Sequence, residues 1–349
     1  MNVREPVHFL RKSLRWGKLW NAAQALSSYG LSRISGRPIV WGLPPVLMLE
    51  PTNVCNLHCP LCPSGNGTLR RKRGHMDFDL FRRAVDEISG RSLMVLLWNQ
   101  GESFLHRDFL RMVRYASEHG LYTLASTNGH YLDRPEEIVR SGLDSLIVSL
   151  DGATPETYTR YRIGGDFDRV IRGIRELTVT KCRLGSKLPI VHVQFILFRH
   201  NLHELEKIRE LAGSLGADKV TYKTAQVYDE KEAEDFLPRE ARFRRYQSVN
   251  GEVVSKAAAK GSIPNRCRTL WVQPVLNWDG TVTPCCFDKH GDFAVGCLTE
   301  ETTLRRIWHG DLMNAFRRRV MTGRGALPMC RNCTEGIKTN YREEDIRAV

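Results

Sequence analysis

Val46-Leu47-Met48-Leu49-Glu50-Pro51-Thr52-Asn53-Val54-Cys55-Asn56-Leu57-His58-Cys59-Pro60-Leu61-Cys62-Pro63 joins an aliphatic run to a loop whose cysteines are spaced C-x3-C-x2-C. A short aliphatic run closed by a proline reads as a buried strand. Three thiolates within eight residues can hold three irons of a cubane cluster and leave the fourth iron open to an outside ligand. A structural zinc site would instead close with four ligands, and His58 sits inside the spacing with no obvious partner. In parallel sheets and barrels, ligands gather at the C-terminal strand ends, and this loop stands at one.

Outward from that strand, aliphatic runs alternate with amphipathic helical patterns. The strand candidates are Val46–Glu50, Leu93–Trp98, Leu121–Ser126, Ser145–Leu150, Val191–Leu197 and Lys219–Thr224; helical stretches include Phe78–Ile88, Arg107–His119, Phe167–Leu177 and Leu202–Leu215. Asp77, Thr154 and Asn201 stand where helix caps are expected. Repeated βα units with right-handed crossovers predict an α/β fold over residues 46–225, six parallel strands in a curved sheet or partial barrel. Residues 1–45 read as an amphipathic helical extension, 226–266 as a helical linker and 267–349 as a small α+β module with a hairpin pattern at Asn277-Trp278-Asp279-Gly280.

A chain of 349 residues with 42% apolar content can bury a full core. It contains neither an apolar run of about 20 residues nor a signal-peptide pattern, so a cytoplasmic protein is expected. There its ten cysteines would stay reduced and serve metals or catalysis rather than disulfides. The net charge of +13, with clusters at Arg70–Arg73 and Arg317–Arg319, favours anionic partners; nucleic acid is not expected among them.

The cysteine loop after the first strand resembles that of the radical S-adenosylmethionine (SAM) superfamily, over residues 46–225, which implies that superfamily's partial (β/α)6 barrel. The resemblance implies a [4Fe-4S] cluster on Cys55, Cys59 and Cys62 whose unique iron is chelated by SAM. It also implies reductive cleavage of SAM to methionine and a 5′-deoxyadenosyl radical that takes hydrogen from substrate, with an external reductant such as flavodoxin or ferredoxin. Leu61 stands where the family often has an aromatic residue, at a backbone contact to adenine. Gly101-Glu102 resembles the Gly-Gly-Glu motif with Gln100 in the first glycine's place, and Glu102 would accept from the SAM ammonium. Ser126 and Asn128 end the third strand and Ser149 and Asp151 the fourth; Ser149 resembles a contact to the carboxylate or ribose. Arg162 resembles the arginine that pairs with the SAM carboxylate, and Gln194 would face the SAM cavity.

Cys267, Cys285, Cys330 and Cys333 form a second constellation, C-x17-C followed by C-x2-C. Four thiolates saturate a [4Fe-4S] cluster, which suits electron transfer or structure; two separated pairs are also a zinc pattern. The stretch Asn277–Cys286, with Ala294-Val295-Gly296 and Ile307-Trp308, resembles the SPASM and twitch modules that follow many radical SAM barrels. Its four ligands match the one-cluster twitch form and are similar in spacing to those of the butirosin-pathway aminocyclitol dehydrogenase. Cys285 rather than Cys286 is the expected ligand, since the residue after the proline ligates in related modules. Cys182 reads as a small core or surface residue. Cys286 and Cys297 either pack beside the cluster or donate a hydrogen atom to a substrate radical.

The N-terminal segment interleaves apolar residues with Arg11, Lys12, Arg15 and Lys18 and carries a local charge of +6 through Arg37. Such a helix either rests on an anionic membrane or packs across the barrel's open side. It is too short for a winged-helix leader-peptide reader. These features lead us to expect hydrogen abstraction from a hydroxyl-bearing carbon of a sugar, aminocyclitol or lipid-linked glycan, ending in dehydrogenation or epimerisation. The alternatives are maturation of a ribosomal precursor peptide and a non-catalytic electron-transfer role.

Overall fold

The aliphatic runs become six strands: β1 (Val46–Leu49), β2 (Met94–Leu97), β3 (Tyr122–Thr127), β4 (Ser145–Ser149), β5 (Ile190–Leu197) and β6 (Lys219–Thr224). Each pairs in parallel with the next in sequence. The computed structural model describes residues 4–261 and 263–347, so the first three residues of the N-terminal extension and the last two of the C-terminal module lie outside the described residues. Because side chains alternate along a strand, Leu47, Leu49, Val95 and Leu97 pack outward against the helices. Met48 and Leu96 turn into the barrel, where Val275 and Cys286 join them.

The helix Phe78–Ile88 begins where expected because the Asp77 carboxylate accepts from the Asp79 amide at 2.7 Å. It buries Leu80, Phe81, Ala84, Val85 and Ile88, a single helical stripe. Thr154 caps its helix as well, accepting from the Thr157 amide. Asn201 does not cap. Its amide donates to the carbonyls of Asp151 (3.0 Å) and Ile196 (2.9 Å) and its oxygen accepts from Phe198 N, so it ties together the loops after β4 and β5.

The stretch read as a helical linker holds the helix Glu230–Phe236 and also an antiparallel hairpin, β7 (Tyr246–Val249) and β8 (Glu252–Ser255). Asn250 and Gly251 turn it with φ of 52° and 78°, the geometry of a two-residue Asn-Gly turn. In the C-terminal module β9 (Val275–Leu276) lies parallel to β1, β10 (Thr281–Thr283) returns antiparallel and β11 (Gly296–Cys297) follows. Near the C-terminus β12 (Asn340–Tyr341) adds antiparallel to β6. The module thereby covers both edges of the barrel sheet, which would otherwise offer unpaired backbone groups.

The N-terminal extension forms helices Arg4–Ser13 and Trp16–Ser35 across the N-terminal ends of the strands. Lys18 donates to Gly120 O before β3, and His8 and Lys12 both reach Asp144 before β4 at 2.6 Å. No helix among the described residues is long and apolar enough to cross a membrane. The two basic clusters are not open patches throughout. Arg71 pairs with Glu50, Arg70 with Asp292, and Arg317 is buried, donating to the carbonyls of Leu270 and Trp308.

Candidate active site

A cavity of about 280 Å³ opens at the C-terminal ends of the parallel strands, bounded by the cysteine loop on one side and by Lys289 of the C-terminal module on another. Cys55, Cys59 and Cys62 all line it. Asn128 Nδ2 lies 3.9 Å from Cys55 Sγ, and Arg162 Nη1 lies 3.8 Å from Cys59 Sγ. The loop folds tightly over the turn that follows: a Cβ at Gly65 would fall 2.6 Å from Cys59 N. Burial pushes the Cys55 thiol up to about 11 and raises Cys59 as well. Leu61, buried within the loop, also faces the cavity.

Gly101 and Glu102 follow β2. Gly101 has φ of 79°, and a Cβ there would lie 2.6 Å from Thr52 O and Asn53 C, so only glycine lets this loop close on the cysteine loop. The Glu102 carboxylate lines the cavity while accepting from Thr127 Oγ1 (2.8 Å), Asn128 N (2.6 Å) and Phe104 N (3.1 Å). Burial raises its pKa, and those donors pull against the rise. The candidate for binding SAM's ammonium is thus positioned by the ends of β2 and β3.

Ser126, Asn128 and Ser149 line the same cavity. Asp151 stands behind it, buried, taking the Ile196 amide at 2.6 Å and Arg162 Nε at 2.6 Å. Burial alone would lower the pKa of Arg162, but Asp151 and then Cys59 hold it charged. One edge of the guanidinium is therefore committed to Asp151, leaving the edge near Cys59 to face a ligand. Gln194 pairs with Ser149 on the face shared with Ile196, but two residues deeper, and is not among the residues lining the cavity.

The sequence reading missed the cavity's cationic end: Lys223 at the end of β6, Arg245 and Lys289. Arg245 donates to the carbonyls of Thr224 and Ala225, both at 2.8 Å, and the Lys289 ammonium meets the Tyr228 hydroxyl. Burial, then Arg245 and Lys289, bring Lys223 down to about 8, against the pull of Cys286 and Asp151. Lys223 was findable by the strand-end rule applied to β6. Arg245 and Lys289 come from distant segments and carry no local signal.

In the C-terminal module Cys267, Cys330 and Cys333 are buried and Cys285 half-buried. Cys333 Sγ accepts from Glu335 N at 3.4 Å. Arg324 sits among these thiols; burial alone would lower its pKa, yet Cys333, Cys267 and Glu335 raise it. Cys286 points into the barrel against Met48, Leu96 and Val275. Cys297 is exposed on outer strand β11, its thiol beside the carbonyls of Asp279 and Leu298, and it is not among the residues lining the cavity, where a hydrogen donor would have to stand. Cys182 is exposed.

Residues 49–212 match the radical SAM superfamily and residues 267–334 match SPASM, an iron-sulfur cluster-binding domain. PqqA peptide cyclase of Ruegeria pomeroyi is 31% identical over 315 residues, covering 83% of this chain and 79% of that protein. The chain belongs to the radical SAM superfamily. Within it, AdoMet-dependent heme synthase of Methanosarcina barkeri is 30% identical over 177 residues, half of this chain and 48% of its own length. Solved structures of two proteins share the fold at low identity. BtrN in complex with AdoMet and 2-DOIA has a TM-score of 0.51 and 19% identity, covering 83% of this chain and 93% of its own. Streptococcus suis SuiB bound to precursor peptide SuiA is 14% identical and covers 90% of this chain and 74% of its own, and SuiB bound to S-adenosylmethionine, also 14% identical, has a TM-score of 0.60.

A radical SAM enzyme with a SPASM domain uses SAM, a SAM-binding [4Fe-4S] cluster and an auxiliary iron-sulfur cluster. The first donor set fits its cluster, and Cys267, Cys285, Cys330 and Cys333 of the C-terminal module supply four thiols, the number a second cubane takes. Three thiols share one cavity wall beside a committed arginine, and a cubane takes each thiolate on its own iron. Among the described residues no three His, Cys, Asp or Glu side chains are set to hold a single metal ion.

Proposed function

We propose that this radical SAM enzyme abstracts a hydrogen atom from a carbon of a peptide substrate and so matures a precursor peptide. The observation that carries the reading is the match to PqqA peptide cyclase, which runs through both barrel and SPASM domain rather than the barrel alone. It displaces the sugar-directed expectation from first place. The cluster, when bound, supplies the electron that splits SAM into methionine and the 5′-deoxyadenosyl radical. In this reading Cys55, Cys59 and Cys62 hold that cluster and Cys267, Cys285, Cys330 and Cys333 the auxiliary one. Glu102 takes the SAM ammonium and the free edge of Arg162 takes its carboxylate, with Ser126, Asn128 and Ser149 beside the ribose. Lys223, Arg245 and Lys289 suit a carboxylate-bearing residue of the substrate.

A second reading, abstraction from a hydroxyl-bearing carbon of a sugar or aminocyclitol, is favoured by one observation: the four-thiol count of the auxiliary site, which allows one cluster only. The test is to incubate reconstituted enzyme with SAM and reductant, then add short peptides encoded beside its gene or a panel of sugars. Substrate-dependent 5′-deoxyadenosine with a mass change in a peptide supports the first reading. The same response to a sugar alone replaces it with the second.

A further inference from the structure

The helix Trp16–Ser35 is turned inside out for a helix packed on a protein. At 3.6 residues per turn Trp16, Leu19, Trp20, Leu26, Leu31 and Ile34 fall within an arc of about 140°. All six are exposed, Trp16 to 81%, Trp20 to 53% and Ile34 to 86%. The buried side is the polar one: Lys18, Asn21, Ser28 and Ser32, with Ala25 among them. Each polar group there is satisfied by the barrel side or its own helix: Lys18 on Gly120 O, Asn21 on both backbone groups of Leu43, Ser32 on Ser28 O and Ile39 O. The preceding helix and its linker add Val7, Leu10 and Leu14, also exposed. An exposed apolar stripe of this extent marks an interaction surface.

Charge identifies what covers it. Glu5, the one acidic residue before Glu50, turns inward to His192 and Lys219, and Lys12 turns to Asp144. The charged residues left exposed around the stripe are Arg11, Arg15, Arg33 and Arg37. A second copy packed on this face by a two-fold axis would bring these arginines toward one another. An anionic lipid surface instead meets apolar rings and arginines together, with tryptophan at the headgroup level.

We propose that helices Arg4–Ser13 and Trp16–Ser35 lay the protein on an anionic membrane surface, with Trp16, Trp20 and their aliphatic neighbours in the headgroup boundary. The helices cover the N-terminal strand ends, so the cavity at the opposite end of the barrel stays open to substrate. This holds whatever the substrate is.

The test is cosedimentation of the reconstituted full chain with vesicles of phosphatidylcholine alone and with about 30 mol % phosphatidylglycerol. Trp16→Ser/Trp20→Ser and Arg11→Glu/Arg15→Glu variants are compared, with circular dichroism and substrate-free SAM cleavage reporting their integrity. The wild type should bind the anionic vesicles in a salt-sensitive way, and each folded variant should lose about tenfold or more in affinity. Absence of vesicle binding by the wild type, or equal binding by folded variants, overturns the proposal. So does a stable dimer that the tryptophan variant dissociates, which would assign the face to a second copy.

Discussion

Arg71 grips Glu50 with both ends of its guanidinium, Nη1 to Oε1 and Nη2 to Oε2 at 2.7 Å each, while its Nε donates to the carbonyl of Lys289 at 2.8 Å. Glu50 follows β1 and its other contacts are Asn99 Nδ2 (3.0 Å) and Gln100 N (3.1 Å). One buried ion pair therefore joins the root of the cysteine loop, the loop after β2 and the C-terminal module's cationic segment.

Arg71→Ala should be strongly destabilising, because it leaves the Glu50 carboxylate buried and uncompensated, a change that costs about 3–5 kcal/mol. Arg71→Lys keeps the charge but loses the two-pronged contact and the bond to Lys289, so its loss should be smaller. Thermal unfolding of the reconstituted proteins reads both, and equal, small shifts for the two variants would remove the pair from its role.

Gly101→Ala should disconnect the cysteine loop from the loop after β2. The new methyl group would meet Thr52 O and Asn53 C at 2.6 Å in a backbone region that L residues rarely adopt. Backbone cannot swing aside as a flexible side chain can. The expected outcome is loss of SAM binding together with reduced iron at the first site, read by equilibrium dialysis and iron analysis; wild-type SAM affinity would mean the loop has slack.

Docking of the first helix should weaken in acid. Burial alone would raise the Glu5 pKa, but His192 and Lys219 hold it down to about 2. A carboxylate depressed in the folded state contributes stability above its unfolded pKa and loses it as pH falls through the folded value. The window here runs from about 4.5 to about 2. Hydrogen exchange over residues 4–13 should show the wild type better protected than Glu5→Gln at pH 6, with the gap closing near pH 2; a constant gap would mean that Glu5 acts through packing.

Lys223→Gln should raise KM for an anionic substrate while leaving substrate-free SAM cleavage near wild type, since Lys223 lies on β6 rather than on the cysteine loop. A fall in the uncoupled reaction instead would place Lys223 against SAM.

What was legible in the sequence was local. The cysteine loop needs only its own spacing and the strand before it, and Phe78–Ile88 needs only Asp77 and a helical stripe. Residues whose roles depend on partners far along the chain were not legible: Glu50 with Arg71, Arg162 with Asp151, and Arg245 brought beside Lys223 by the β7–β8 segment. Asn250-Gly251 did carry a turn signal, but the charged residues around it hid the hairpin. The apolar residues of the N-terminal helices were visible, whereas their outward direction was not, because periodicity shows that a face exists and not which way it points.

The four auxiliary thiols and the three of the first loop make a count that iron analysis can check. Anaerobic reconstitution should give about eight irons per chain, falling to about four when Cys55, Cys59 and Cys62 are all replaced by alanine. About four falling to none would remove the auxiliary cluster and leave the C-terminal thiols to zinc or packing. Within the module, Cys285→Ala should lose the auxiliary iron while Cys286→Ala retains it, because the Cys286 side chain packs against Met48, Leu96 and Val275 inside the barrel. The reverse pattern would exchange the two assignments and put Cys285, not Cys286, nearest the substrate.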